Sequence, residues 1–437
     1  AFICFTSGTT GRPKGAIITH AMATAMHDQF QLGGEHGSSV AFGPDDVHLS
    51  YLPMAHVCEI VLQVSSLAVG ARIGFWQGDP RKLMSDVAEL KPTSFAATPM
   101  MYNRIYDRVW QQVSKEGWIK AAMFHAGYKS KLTWLSGNFH SHAIWDKAVF
   151  APLKQLLGGR VRVLFSGSAP ILPEVVSFLS IAFSCPVIIG YGLTEGMGGQ
   201  TMTLLNDRTS TGTVGIPVPS VQIKLVDVPE MGYLTSNNPQ SGEICFKGAT
   251  AFPGYLDDEP ATRETIDAEG WVHTGDIGSW DASGNLRIVD RKKSLFKLAQ
   301  GEYVSPEKVE TVYALHELVK DVFVTGDSAR PFLVAVIHPH RERLLELAGR
   351  VMGEAAVKRV TYERLCEDPD VRAAVVDLLS GWVAGRGDLL GFEVVRNVAL
   401  VPAPFPDETR TATDKKIRHV AKKVYEAKIK AMYNEAR

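Results

Sequence analysis

The chain has 437 residues and a formal net charge of −1, with 46 Lys and Arg against 47 Asp and Glu. That length suits two or more domains of roughly 150 residues each, and a balanced charge provides no global field to attract nucleic acid. The five cysteines are scattered without metal-type or redox-type pair spacing, which suits a reducing compartment, and no uninterrupted apolar run of roughly 18 residues reads as a transmembrane helix.

The chain opens on an apolar run, Ala1 to Phe5, followed at once by Thr6-Ser7-Gly8-Thr9-Thr10-Gly11-Arg12-Pro13-Lys14-Gly15. Glycines let backbone N–H groups approach an anion, the hydroxyls add donors, and Arg12 and Lys14 add charge, so a strand feeding a phosphate-handling loop is expected. The Walker A spacing is absent, because Gly8 and Gly11 are too close together and Gly15 follows Lys14. A nucleotide phosphate is the expected ligand; a polar hairpin turn is the alternative.

Further along, His56 in Pro53-Met54-Ala55-His56 is either structural or a channel-lining residue. The apolar stretches Ile60 to Val69, Ile73 to Trp76 and Ser94 to Pro99 read equally as tunnel lining or core. The segment from Ser114 to Leu157 is basic and aromatic, with Trp118, Phe124, Tyr128, Trp134, Phe139 and Trp145. It reads as amphipathic helices packed on the core, the alternative being a surface that touches membrane.

Val161 to Phe165, Pro186 to Ile189, Val221 to Val226 and Glu243 to Phe246 are strand-like, and Glu174 to Phe183 is helical, an alternation that predicts α/β layers. Gly and Pro punctuation from Gly212 to Gly254 predicts a small β-rich subdomain over about 212–285. A strand from Leu286 to Val289 leads into Asp290-Arg291-Lys292-Lys293, where a domain boundary is expected. Beyond it come a helix from Glu307 to Leu318, strands Val322 to Thr325 and Phe332 to Ile337, a helix from Arg341 to Val351, and a Lys-rich helix from Asp414 to Met432.

Five motifs in order resemble the adenylate-forming superfamily. They are the loop at 6–15, Gly190-Tyr191-Gly192-Leu193-Thr194-Glu195, Gly242-Glu243-Ile244, the run Gly270-Trp271 with His273-Thr274-Gly275-Asp276, and Val289-Asp290-Arg291-Lys292-Lys293. Tyr51 to His56, Ser166-Gly167-Ser168-Ala169-Pro170, Val228 to Tyr233 and Leu295 to Glu310 look specifically like the long-chain fatty acyl-CoA synthetases, Val228 to Tyr233 suggesting the eukaryotic branch. The resemblance implies an α/β fold: a large multi-layer adenylate-forming domain over 1–290, incomplete here, and a small α+β mobile domain over 291–437. It also implies that family members carry a substantial portion ahead of the loop, so the chain is expected to be a fragment, with any membrane anchor in the preceding part.

Acyl-adenylate formation joins two anions, so cations and positioning must supply the catalysis. A carboxylate at Glu195, after the Gly-Tyr-Gly turn, is a reasonable Mg²⁺ ligand, and an N-terminal helix cap is the alternative. The resemblance assigns Glu195 to the metal, Thr194 and the loop residues Thr6, Ser7, Gly8, Thr9, Thr10, Gly11 and Lys14 to phosphate, and Tyr191 and Gly192 to the adenine side. It places backbone of Gly167, Ser168 and Ala169 along the adenine edge, with Asp276 and Arg291 on the ribose. Thr411-Ala412-Thr413-Asp414-Lys415-Lys416 resembles the family's C-terminal motif with Ala in place of Pro, which makes Lys415 the catalytic lysine and Lys416 its rival. Asp290 falls at the matching hinge.

The implied function is a long-chain fatty acid:CoA ligase using ATP, Mg²⁺ and coenzyme A. The alternatives are a medium-chain or aryl acyl-CoA ligase and a catalytically silent nucleotide-binding fragment. Fatty acid, ATP and CoA are the expected partners, with peripheral membrane association at the cytoplasmic face of an organelle.

Overall fold

The computed structural model describes residues 1–6, 13–35, 42–135, 137, 140–205, 207, 209–292, 294–411 and 415–435. It divides into two units, Ala1–Ile288 and Val289–Arg437.

In the first unit, β1 (Phe2–Thr6) pairs antiparallel with β2 (Lys14–Ile18), placing Thr6 opposite Lys14. After helix α1 (His20–Glu35) come β3 (Val47–Ser50), α2 (Val57–Ala68), β4 (Arg72–Phe75), α3 (Leu83–Leu90), β5 (Ser94–Ala97), α4 (Pro99–Lys115) and α5 (Trp118–Leu135). Strands β6 (Val163–Gly167) and β7 (Val187–Tyr191) flank the helix Pro173–Phe183, and short β8 (Thr201–Met202) and β9 (Ile216–Pro217) follow. These strands form a sheet of order β4-β3-β5-β6-β7-β8-β9, parallel through β7 and antiparallel beyond it. Every residue of β3 and of β5 is buried, as strands covered on both faces require.

Tyr102 on α4, fully buried, shares its one hydroxyl proton between the carbonyls of Phe95 and Phe165, at 2.9 and 3.1 Å, and so pins the helix across β5 and β6. A second sheet is made by β10 (Val221–Val226), β11 (Ser241–Gly248), β12 (Val272–Trp280) and β13 (Leu286–Arg291), in that order. The chain passes from the first unit to the second along β13.

The basic, aromatic segment from Ser114 is largely helical and packs one side on the core, but its main helix α5 is about equally apolar on both sides and so is not the amphipathic helix expected. Phe124, Gly127, Lys131 and Leu135 form the buried stripe of α5, and Phe124 meets Trp110 and Phe150 at ring separations of 5.3 and 5.6 Å. Lys131 is only 1% exposed. Its ammonium donates to Asp146 Oδ1, the Ile181 carbonyl and Ser184 Oγ at 2.5, 2.7 and 2.7 Å, which uses all three of its protons. Burial pushes the pKa of this ammonium down, and the Asp146 carboxylate opposes that shift.

The second unit has a three-stranded sheet of Val319–Thr325, Leu333–Pro339 and Val395–Leu400. Its strands alternate between two cores. Val322, Val324, Leu333, Ala335 and Ile337 share a cluster with Val371, Val375 and Leu379 of the helix Pro369–Arg386, whereas Phe323, Val334 and Val336 pack with Ile429, Met432 and Tyr433.

Two helices differ from the sequence expectation. The one expected to reach Leu318 ends at Tyr313, because His316 turns inward and its Nδ1 accepts the Leu318 N–H at 3.1 Å. The Lys-rich C-terminal segment is not a single helix. Lys416 is in an extended bridge with Arg410, the helices Arg418–Val424 and Glu426–Glu435 follow, and Tyr425 between them packs on Phe405 at 5.3 Å. Among the described residues, no helix is long and apolar enough to cross a membrane.

Replacing Asp146 with Ala would leave the Lys131 ammonium buried without its counter-charge. We expect a loss of about 3 kcal/mol or more in urea unfolding, largely restored when Lys131→Met is added. A loss under about 1 kcal/mol would mean that Lys131 sheds its proton instead of relying on the pair.

Candidate active site

Parallel sheets present ligands at the carboxyl ends of their strands. Here β6 ends at Gly167 and β7 at Tyr191, with Gly167 in register with Gly190, so Ser168-Ala169 and Gly192 leave adjacent strand ends. Ser168 is exposed and adopts φ +70°, a left-handed conformation that is uncommon for a side chain with a Cβ. Gly192 admits no substitution, since a Cβ there would fall 1.2 Å from the Gly198 carbonyl oxygen.

The turn after Gly192 is held from inside. Gln200, 1% exposed, accepts from the Leu193 N–H at 3.0 Å and donates to the Gly196 carbonyl at 2.6 Å. Between these anchors Thr194–Gly196 forms one turn of 3₁₀ helix, with Thr194 half-buried and Glu195 buried.

The Glu195 carboxylate is oriented from a distant segment. Tyr255 donates its hydroxyl to Glu195 Oε1 at 2.5 Å, and the Phe252 N–H donates to the Glu195 carbonyl at 2.9 Å. Burial and the Glu195 carboxylate both push the Tyr255 hydroxyl pKa upward, so it remains a donor. The backbone around Tyr255 lies against β2, with Ile17 N–H donating to Gly254 O at 3.1 Å and Leu256 N–H to Gly15 O at 2.8 Å. Lys14 consequently lies over the Tyr255 ring, its Nζ 5.1 Å from the centroid. Thr6 and Lys14 flank the expected phosphate loop; Ser7, Gly8, Thr9, Thr10, Gly11 and Arg12 lie outside the described residues.

Asp276 approaches the same strand ends from β12. Its carboxylate Oδ2 accepts the Tyr191 hydroxyl at 2.7 Å, across 85 residues of sequence. The turn that carries it is clamped: Gly275 N–H donates to Glu243 Oε1 at 3.0 Å, Asp276 N–H to Thr274 Oγ1 at 3.0 Å, and Thr274 Oγ1–H to the Ile244 carbonyl at 2.8 Å. The structure thus brings together Tyr191, Asp276, Glu195 and Lys14 with two residues that sequence reasoning missed, Tyr255 and Gln200. Glu243 was seen only as part of a motif. An aromatic immediately after the Pro253-Gly254 turn was the available signal for Tyr255.

His56 has a structural job: its Nδ1 accepts the Cys58 N–H at 3.2 Å and caps α2. Nearby, Tyr51 stacks on Phe95 at 5.6 Å.

In the second unit, Arg291 is the half-buried last residue of β13, and the Asp290 side chain lies outside the described part. Lys415 is half-buried at the end of a short loop in which Thr411 N–H donates to Lys415 O at 2.8 Å and Lys415 N–H to Thr411 Oγ1 at 3.1 Å. Residues 412–414 lie outside the described residues. Lys416 is committed elsewhere, its Nζ 3.3 Å from both Glu310 Oε2 and Asp321 Oδ1. Arg418 joins Glu310 at 2.9 Å and Arg410 pairs with Asp321.

Known proteins resemble the chain along its whole length. Residues 1–256 match the family model described as AMP-binding enzyme. The chain is 43% identical over 441 residues to the peroxisomal long chain acyl-CoA synthetase 7 of Arabidopsis thaliana, covering 100% of this chain and 61% of that protein. It is 40% identical over 437 residues to long-chain-fatty-acid--CoA ligase 1 of Cavia porcellus, covering 99% of this chain and 61% of that protein. Among solved structures it superimposes, with a TM-score of 0.75 and 27% identity, on the adenylation domain of a carboxylic acid reductase from Segniliparus rugosus in complex with AMP and a co-purified carboxylic acid. That match covers 100% of this chain and 61% of the other. The chain therefore spans about three fifths of the length of these relatives. With its mixed α/β architecture and a family match over more than half its length, it belongs to the AMP-binding enzymes.

Proposed function

We propose that the chain carries the catalytic core of a long-chain fatty acid:CoA ligase. The observation that carries the reading is the joint placement of Tyr191, Asp276 and Glu195 around the β7 strand end, in a chain about 40% identical to long-chain acyl-CoA ligases throughout. The fatty carboxylate attacks the α-phosphorus of ATP, forming a new O–P bond while the bond to pyrophosphate breaks. The thiol of coenzyme A then attacks the acyl carbonyl, and AMP leaves.

In this reading Tyr191 lines the adenine and Asp276 accepts the ribose hydroxyls, held in place by the Tyr191 hydroxyl and by Glu243 behind the turn. Gly167, Ser168, Ala169 and Gly192 offer backbone alongside the base, and Arg291 reaches the sugar. Thr194, Lys14 and the loop from Thr6 contact phosphate. A single buried carboxylate is the protein contribution expected for Mg²⁺, which takes most of its ligands from phosphates and water; Glu195 fits that part, with Tyr255 fixing its orientation. The ion would neutralise phosphate charge. Lys415 supplies the cation that joins the attacking carboxylate and the α-phosphate. The commitment of Lys416 to Glu310 and Asp321 supports Lys415 over its neighbour. Asp290 is the proposed hinge for the second step, and His56 remains a candidate for the acyl or pantetheine channel.

The deciding experiment is fatty-acid-dependent ATP–pyrophosphate exchange with palmitate, a medium-chain acid and an aromatic acid, on this chain and on a form extended to the relatives' length. Exchange led by palmitate is expected; preference for another acid would move the substrate class, and ATP binding without exchange in both forms would leave a binding protein. Lys415→Ala should lower exchange by about 100-fold or more yet spare thioester formation from preformed acyl-AMP. Equal loss of both half-reactions would refute its role. Lys416→Ala should instead act on stability, by about 1–3 kcal/mol. For the metal, Tyr255→Phe should weaken the apparent Mg²⁺ affinity about five-fold, the value of one hydrogen bond near 1 kcal/mol. Glu195→Ala should abolish Mg²⁺-dependent turnover, and an unchanged Mg²⁺ response would remove Glu195 from the site.

A further inference from the structure

Strands β11 and β12 fall out of step beside the candidate site. Glu243 is in register with Ile277 and Cys245 with His273, so the single residue Ile244 faces Thr274, Gly275 and Asp276 together. Bulges re-aim side chains next to active sites, and this one carries Asp276. Glu243 holds it at the middle, its Oε1 accepting the Gly275 N–H at 3.0 Å.

The second oxygen of Glu243 faces His273. Oε2 lies 3.5 Å from Nδ1 of the ring, while Nε2 lies 3.6 Å from Asp267 Oδ2. Asp267 is itself fixed by the turn before β12, since its Oδ1 accepts the N–H groups of Glu269 and Trp271 at 2.9 and 2.8 Å. A carboxylate thus stands at each ring nitrogen, and only the imidazolium has a proton for both. The His273 side chain is 28% exposed and that of Glu243 13%, so water and salt screen the pair less than a surface pair.

Other groups around the ring leave this arrangement intact. Cys245 Sγ is 3.3 Å from Nδ1, but burial and the Glu243 carboxylate push its thiol pKa up to about 12, so it adds no charge. Lys224 is engaged by Asp267 and Glu269 at 3.9 and 3.7 Å and lies over the Trp271 ring at 4.5 Å.

We propose that His273 is a positioning residue for nucleotide binding: through Glu243 it holds the bulge that presents Asp276 to the ribose hydroxyls. This rests on the reading of Asp276 as the ribose acceptor and adds a residue behind it. Without the imidazolium, the Glu243 carboxylate loses the contact that fixes its second oxygen, the Gly275 N–H is held less firmly, and Asp276 meets the hydroxyls less often in an accepting geometry.

The test compares the affinities of AMP and 2′,3′-dideoxy-AMP for the purified chain by titration calorimetry, because the second nucleotide lacks the hydroxyls that Asp276 would accept. The parent should bind AMP about 30-fold more tightly, as hydrogen bonds to a charged group allow, and Asp276→Ala should abolish the difference. His273→Ala should weaken AMP about five-fold while leaving dideoxy-AMP within about twofold. His273→Asn, whose amide can set a donor where Nδ1 stands, should recover part of the loss. In a Glu243→Ala background, His273→Ala should weaken AMP no further, because the route is already cut.

A parent that fails to discriminate the two nucleotides, or discrimination that survives Asp276→Ala, overturns the ribose reading and this proposal with it. Where Asp276→Ala does abolish the difference, the positioning role alone is overturned by an unchanged His273→Ala, or by equal loss of both nucleotides in that variant, which marks a general defect of the fold. It is likewise overturned by His273→Asn binding AMP no better than His273→Ala, or by an undiminished effect of His273→Ala in the absence of Glu243.

Discussion

The pairing of residues 254–256 with β2 is the constraint on which the candidate site depends. Two backbone hydrogen bonds hold the segment, and through them one aromatic ring stands between Lys14 and the Glu195 carboxylate. Were the register to slip by one residue, Tyr255 would face the other way and neither partner would be reached. The chemistry proposed for Lys14 and Glu195 thus rests on main-chain geometry that touches no ligand. The same holds around Gly192, where the Gly198 carbonyl occupies the space of a side chain and Gln200 ties the ends of the turn.

Much of this was legible in the sequence, and the part that was not has a physical explanation. The resemblance to a family singled out Tyr191 and Asp276, whereas Glu195 also stood out on its own residues, as a carboxylate just after the Gly-Tyr-Gly turn. The α/β layering was legible from alternating apolar runs. Tyr255 was missed because its partner lies 60 residues away, and long-range pairing leaves no trace in local spacing. Glu243 belonged to a recognised motif, yet its contact with Gly275 spans 32 residues and needed coordinates to be seen. Periodicity also failed at the C-terminus: the lysines from 415 onward suited a helix, but ion pairs to Glu310 and Asp321 hold Lys416 in extended backbone.

The aromatic segment after Ser114 divides in a way composition alone could not show. Phe124 and Tyr128 join a ring cluster with Trp110, whereas Trp118 and Trp134 on the same helix face outward. Equal hydrophobicity on both sides of α5 hides this division from any averaged measure. The buried side is marked instead by a glycine, Gly127, where a Cβ would fall 2.9 Å from the Trp145 ring.

The loop that ends at Lys415 has an entropic consequence. Its two ends are closed on each other by the Thr411 N–H donating to the Lys415 carbonyl and the Lys415 N–H donating to Thr411 Oγ1, and the flanking Arg410 and Lys416 are each anchored by carboxylates of the same unit. A free lysine-bearing tail would have to surrender about 1–2 kcal/mol of conformational freedom for each residue ordered. Here most of that ordering accompanies folding. The closed loop ends are thereby a pre-set mount for Lys415.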